Sequence, residues 1–265
     1  ICSKSCREAR SNESLDQTRT GTIVCAQSAT IRSIYNAIVR GGWNNAFSLH
    51  RTHLRIENVG IIKSESRLDM ENVEKQSIRL EHVISLDLSC GSQALNRLAR
   101  GDTVYSLFKL TPKVVEIDFS GLDISVSQVW RWFTHNRCPY VKRITWTNSE
   151  NSLNLVGYPL MNYAVLTTLN LDDSCLFSPT SRFDLEAPHR NLYLFSYCKK
   201  LERLSIKGVT MSISFTNTQR VPLSQNMLIK MVRRHPTLKW LRSDLTNDNV
   251  AMLKQERPDI MFVSD

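Results

Sequence analysis

One short pattern of apolar positions, apolar-x-x-apolar-x-apolar, returns along the chain, usually after a proline or a charged pair. It reads Val83–Leu86–Leu88 in VISLDL, Val114–Ile117–Phe119 in VVEIDF and Val141–Ile144–Trp146 in VKRITW. It returns as Leu166–Leu169–Leu171 in LTTLNL and as Leu201–Leu204–Ile206 in LERLSI. Degenerate copies flank these, Leu54 and Ile56 in HLRIENVGI upstream and Leu238 and Leu241 in LKWLRS downstream. Alternate side chains of a strand face opposite sides, so the last two apolar residues of each copy share one face. The pattern therefore predicts a series of short strands, each with one apolar face to bury.

The central apolar residues are Leu54, Leu86, Ile117, Ile144, Leu169, Leu204 and Leu241, spaced by 32, 31, 27, 25, 35 and 37 residues. Each interval has room for a helix. Residues 222–236 (PLSQNMLIKMVRRHP) predict one capped by Ser224, burying Met227, Leu228, Met231 and Val232, and stopped by Pro236. Residues 247–258 repeat the scheme with Asn247 as cap, Val250 and Leu253 inside, and Pro258 as stop. Residues 91–101, through Leu95 and Leu98, and residues 125–136, through Val129, Trp132 and Phe133, read as two further helices.

Strand–helix alternation also suits a doubly wound sheet, but no glycine-rich phosphate loop follows any strand and the strand signature keeps one form throughout. A single repeat cannot cover its own apolar face, whereas stacked repeats share a continuous core. The expected architecture is an α/β solenoid across residues 21–265, with insertions near 176–191 and 211–222. RPDIMFV (257–263) is its closing strand. Residues 1–20 are polar, lack apolar periodicity and are expected to form a mobile tail; Ile1 in place of Met leaves processing or truncation open.

These motifs resemble the leucine-rich-repeat superfamily over residues 51–263, particularly its long, helix-containing, ribonuclease-inhibitor-like class. LERLSIKGV (201–209) and residues 235–260 are similar to uncharacterised leucine-rich-repeat proteins of diatoms and related algae. The resemblance implies a horseshoe with a parallel sheet on the concave face and helices on the convex face. One departure stands out. The position where the family carries the turn-bonding Asn or Cys holds Val59, Gly91, Leu122, Ser149, Ser174, Val209 and Thr246. Those turns must satisfy their backbone groups in another way, and the repeats are expected to be irregular.

In this register the exposed strand face carries acidic residues early, Asp87, Glu116 and Asp118, then Arg143, Asn170 and Asp172. It turns basic later with Arg203, Lys207, Trp240 and Arg242. These ten are the expected partner-binding residues, since opposed charges steer and orient a protein partner. Trp240 and Arg242 are also residue types that dominate interface energetics.

Composition alters this picture little. The net charge of +9 reflects dispersed Lys and Arg without a basic block, so nucleic-acid binding through basic helices, with Lys230, Arg233, Arg234 and His235 the densest cluster, is a second reading. A third is the substrate-recognition arm of a ubiquitin-ligase adapter, for which residues 28–43 are a weak docking segment. Seven scattered cysteines suit reduced thiols in a reducing intracellular compartment, cytoplasm or nucleus. No apolar run is long enough to span a membrane. His50 and His53 lack a third metal ligand, and no nucleophile, base and orienting group fall into a known catalytic spacing. The expectation is a binding protein, not an enzyme, with no cofactor or metal.

Overall fold

The computed structural model describes residues 20–24, 52–57, 80–89, 98–99, 107–124, 139–149, 165–177, 198–212 and 220–263. Each apolar signature within them forms a short strand. The first unit of the chain, Ile1–Gln128 with Arg137–Val141, contains β1 (Thr20–Val24), β2 (His53–Glu57), β3 (Ser85–Asp87), β4 (Leu98–Ala99), β5 (Glu116–Asp118) and β6 (Asp123–Ile124). Its main sheet runs β1-β2-β3-β5, every pair parallel.

The second unit, Val129–Asn136 with Lys142–Asp265, holds β7 (Arg143–Thr145), β8 (Thr168–Asn170), β9 (Cys175–Phe177), β10 (Arg203–Ser205), β11 (Thr210–Ser212) and β12 (Arg220–Pro222). Helix α1 (Gln225–Arg234), β13 (Trp240–Arg242), α2 (Asn247–Glu256) and β14 (Met261–Val263) complete it. Its main sheet is again parallel, in the order β7-β8-β10-β13-β14. Strand order follows chain order without reversal, so the crevice at which doubly wound folds bind nucleotides does not arise in this sheet.

The register is set by the apolar triplets. Leu54, Leu86 and Ile117 lie side by side in the first unit, and Ile144, Leu169, Leu204 and Leu241 in the second. All seven are buried, as are the flanking members of the triplets from Val83 to Ile206. Burying each such side chain is worth roughly 1.5–3 kcal/mol, which makes a one-residue slip of any strand prohibitive.

Five strands, β3, β5, β10, β13 and β14, are entered through a tight turn. The amides of Val83, Val114, Leu201, Leu238 and Ile260 each donate to the carbonyl three residues back, at 2.8–3.3 Å. Pro112, Pro236 and Pro258 occupy the second position of three of these turns, where a fixed φ is already correct. Four strands, β5, β7, β8 and β10, are left through a second turn containing a left-handed residue: Gly121 (φ 74°), Asn148 (φ 55°), Asp173 (φ 56°) and Gly208 (φ 66°). All four precede the family's Asn/Cys position by one, and Gly, Asn and Asp are the residue types that tolerate this conformation.

Helix α1 matches its predicted cap and buried stripe: Ser224 Oγ accepts from the Met227 amide at 3.3 Å, and Met227, Leu228, Met231 and Val232 are buried. In α2 the cap is Thr246 rather than Asn247, because Thr246 is still extended while Asn247 already belongs to the helix. Gln225 fastens the two helix starts, accepting from the Thr246 amide at 2.9 Å and the Asn249 side chain at 2.8 Å. At the other end of α1, Arg257 donates to the carbonyls of Val232 and His235 at 3.1 and 3.2 Å, a cation where the helix dipole is negative.

One further expectation needs correction. Leu98 and Ala99, placed above in a helix over 91–101, form β4 and pair in parallel with β6. A short apolar run between glycines suits either state, and the β6 backbone decides it. The expected insertion at 211–222 contains a hairpin, β11 antiparallel to β12, and β11 also pairs in parallel with β9. His53 opens β2, and its Nδ1 lies 2.8 Å from Thr52 Oγ1. The expected helix at 125–136 and residues 1–19 of the expected tail lie outside the described residues.

Candidate interaction surface

The residue on either side of each central apolar position lies on the face opposite the core. In the second unit this makes two in-register rows: Arg143, Thr168, Arg203, Trp240 and Met261, and beside it Thr145, Asn170, Ser205, Arg242 and Val263. In the first unit the corresponding rows carry His53, Ser85 and Glu116, and Arg55, Asp87 and Asp118.

Two acidic residues of the first unit serve the turns. Asp87 Oδ1 accepts from the Ser89 amide at 2.9 Å, and Asp118 Oδ1 from the Ser120 amide at 2.8 Å. Asn170 Oδ1 does the same for the Asp172 amide at 3.0 Å in the second unit. This short loop-back explains why Asp or Asn ends these strands. Burial raises the Asp118 carboxyl above the ordinary carboxylate range; its bonds to Ser120 oppose the shift, and Asp87 and Glu116 reinforce it. Arg55 Nε stands 3.5 Å from Asp87 Oδ2 and partly balances the cluster.

Asp172, expected on the exposed strand face, sits in the turn after β8 and is buried. Its carboxylate accepts from Ser205 Oγ at 2.7 and 2.8 Å, from the Lys207 amide at 2.8 Å and from Arg242 Nη1 at 2.6 Å. Lys207 likewise lies in a turn, that of Lys207 and Gly208 after β10. The Asp172 carboxylate and the Lys207 amide are thus both engaged within the fold.

Arg203 and Trp240 were expected as separate contacts, yet they form one unit. The Arg203 guanidinium carbon lies 4.7 Å from the centre of the Trp240 ring, across neighbouring strands. Arg143 is exposed on the same row, two strands away. Met261, at 63% the most exposed of the large apolar side chains on the described surface, ends this row and was not among the expected residues. Its signal was present: Trp240 and Met261 hold the same place beside Leu241 and Phe262.

In the turn after β8 a side-chain hydroxyl binds the backbone of the preceding turn. Ser174 Oγ donates to the Trp146 carbonyl at 2.8 Å and accepts from the Ser149 amide at 3.4 Å, reaching from one repeat to the one before it. The amides of Cys175 and Thr210 continue the chain of bonds to Ser149 and Ser174 carbonyls.

Among the described residues no group of three or more His, Cys, Asp or Glu side chains converges as a metal site, and no helix is long and apolar enough to cross a membrane. Cys175 and Cys198 are buried and not disulfide-bonded, and burial pushes the Cys198 thiol up to about 12. No protein-family model matches the chain, and comparison with curated proteins gives no match.

Proposed function

We propose that the chain is a leucine-rich-repeat protein of the long, helix-containing class, and that it binds a protein partner through the exposed face of its parallel strands and the turns that follow them. The observation that carries this reading is the in-register row Arg143, Thr168, Arg203, Trp240 and Met261. It sets cations, a hydroxyl, an indole and an apolar end side by side on a backbone fixed by parallel hydrogen bonding. Such a surface offers recognition without moving parts, and large aromatic and Arg side chains are the groups that contribute most to binding energy.

The solenoid form is supported by strand order that follows chain order, by a constant triplet of buried positions and by the repeated left-handed turn. No catalytic role is assigned to any residue. The first unit presents an acidic surface and the second a basic one, each suited to orienting a partner of complementary charge.

The test is affinity capture from native extract at low and high salt, with wild type, with Arg143→Glu/Arg203→Glu, and with Lys254→Gln on the far helix. A protein retained at high salt by wild type and Lys254→Gln, and lost from the double variant, is the expected result. Capture that ignores the double variant, or recovers nucleic acid released by salt, refutes the reading.

A further inference from the structure

We propose that Arg203, braced against Trp240, is the receptor for a carboxylate on an extended acidic segment of the partner; this deepens the function proposed above and rests on it. The argument begins with the guanidinium itself. It is planar, permanently charged and carries five N–H donors in a fork that fits a carboxylate edge-on. A free arginine side chain must lose rotamer freedom to present that fork. Here the contact with the Trp240 ring, whose centre lies 4.7 Å from the guanidinium carbon, restrains the side chain before a ligand binds.

Among the described residues no carboxylate pairs with Arg203, which is exposed, whereas other cations nearby are committed. Arg242 reaches Asp172, Lys239 reaches Glu202 at 2.8 Å, and Arg233 reaches Glu256 at 2.6 Å. Both rows of the second unit's exposed face lack an acidic residue. Asp172, in the turn beside this face, is buried and occupied.

A ligand on this face therefore meets positive charge at Arg203, with the Thr168 hydroxyl on the neighbouring strand. Beyond Arg203 it meets the Trp240 ring and Met261. That order selects an extended peptide carrying an acidic side chain followed by an apolar one, laid across the strands.

The test uses the full chain and fluorescence anisotropy with three labelled probes: a twelve-residue peptide of repeating Glu-Ala-Glu-Leu, the same peptide with Gln for Glu, and a single-stranded oligonucleotide of equal charge. The Glu peptide should bind at least ten-fold more tightly than the Gln peptide. Arg203→Gln and Trp240→Leu should each weaken it about ten-fold. Arg203→Lys, which keeps the charge and loses the fork, should recover less than half of that loss on a logarithmic scale, while Lys254→Gln should bind as wild type does. Thermal melts confirm that each variant folds.

Equal binding of the Glu and Gln peptides, full recovery by Arg203→Lys, or tighter binding of the oligonucleotide overturns the proposal. Face-dependent protein capture with no Glu-over-Gln preference would remove this inference and leave the function standing. Capture independent of the face would remove the function itself.

Discussion

Arg242 reaches Asp172 across the full width of β10: Nη1 and Oδ2 meet at 2.6 Å although 70 positions separate the two residues. The same carboxylate takes the Ser205 hydroxyl and the Lys207 amide, so three consecutive repeats share one anion. Its side chain is 7% exposed and that of Arg242 31%, which leaves little water to compensate a missing partner.

Asp172→Ala should therefore cost about 3 kcal/mol, because it strands a partly buried cation together with a buried hydroxyl. Asp172→Asn should cost less, since its oxygen can still accept. Urea denaturation measures both. A loss below about 1 kcal/mol for the alanine variant would show that the carboxylate does not hold the repeats together.

Gly208 combines a positive φ of 66° with a position at which a Cβ would run into the Asp173 carboxylate. Gly208→Ala should destabilise by about 2–3 kcal/mol, part from the backbone and part from the collision. In an Asp173→Gly background the collision disappears, and the penalty should fall by half or more. A double-mutant cycle reads the difference as coupling between adjacent turns, and strictly additive losses would contradict the geometry.

Asp118 gives a pH dependence of defined sign. Its folded carboxyl binds a proton more tightly than the unfolded one, ordinarily near 3.8, so this group's contribution to stability falls as pH rises through that window. Below the unfolded value both forms are protonated and the effect vanishes. Asp118→Asn keeps the oxygen that accepts from Ser120 and removes the charge. It should be more stable than wild type at pH 7 and equal to it at pH 3, measured by denaturation at both pH values.

Cys198, with its thiol pushed up to about 12 by burial, should resist iodoacetamide in the folded protein and react only on unfolding. Peptide mapping after alkylation, with and without urea, distinguishes the two; labelling of Cys198 without urea would show that its cover opens readily.

The strands were legible because the triplet is dictated by burial, and burial leaves a mark at every copy. Helix α1 was legible to the residue because Ser224, a four-residue apolar stripe and Pro236 agree on its limits. Strand β4 was not, since Leu98 finds its partner in Asp123, a pairing that no local pattern announces. The turn signal lies one place before the Asn/Cys position, where Gly121, Asn148, Asp173 and Gly208 supply the left-handed residue. On the candidate surface, charge and position could be read for Arg203 and Trp240 but not their stacking, which depends on register between strands 37 residues apart. Asp172 looked exposed because the alternation was carried past the strand's end at Asn170.

At the entrance to the strands, one carbonyl often receives two amides of the next repeat: Thr52 takes Ile84 and Ser85, Ile84 takes Val115 and Glu116, Lys142 takes Thr167 and Thr168, and Glu202 takes Lys239 and Trp240. This clasp lies entirely between the entry turn and the exit turn. The distance from one central apolar residue to the next meanwhile ranges from 25 to 37. Closing a loop of twice the length costs only about 0.6 kcal/mol, so the return path can gain or lose residues without disturbing the clasp. Each return is in effect a graft point, open to lengthening or exchange while the strand face keeps its geometry.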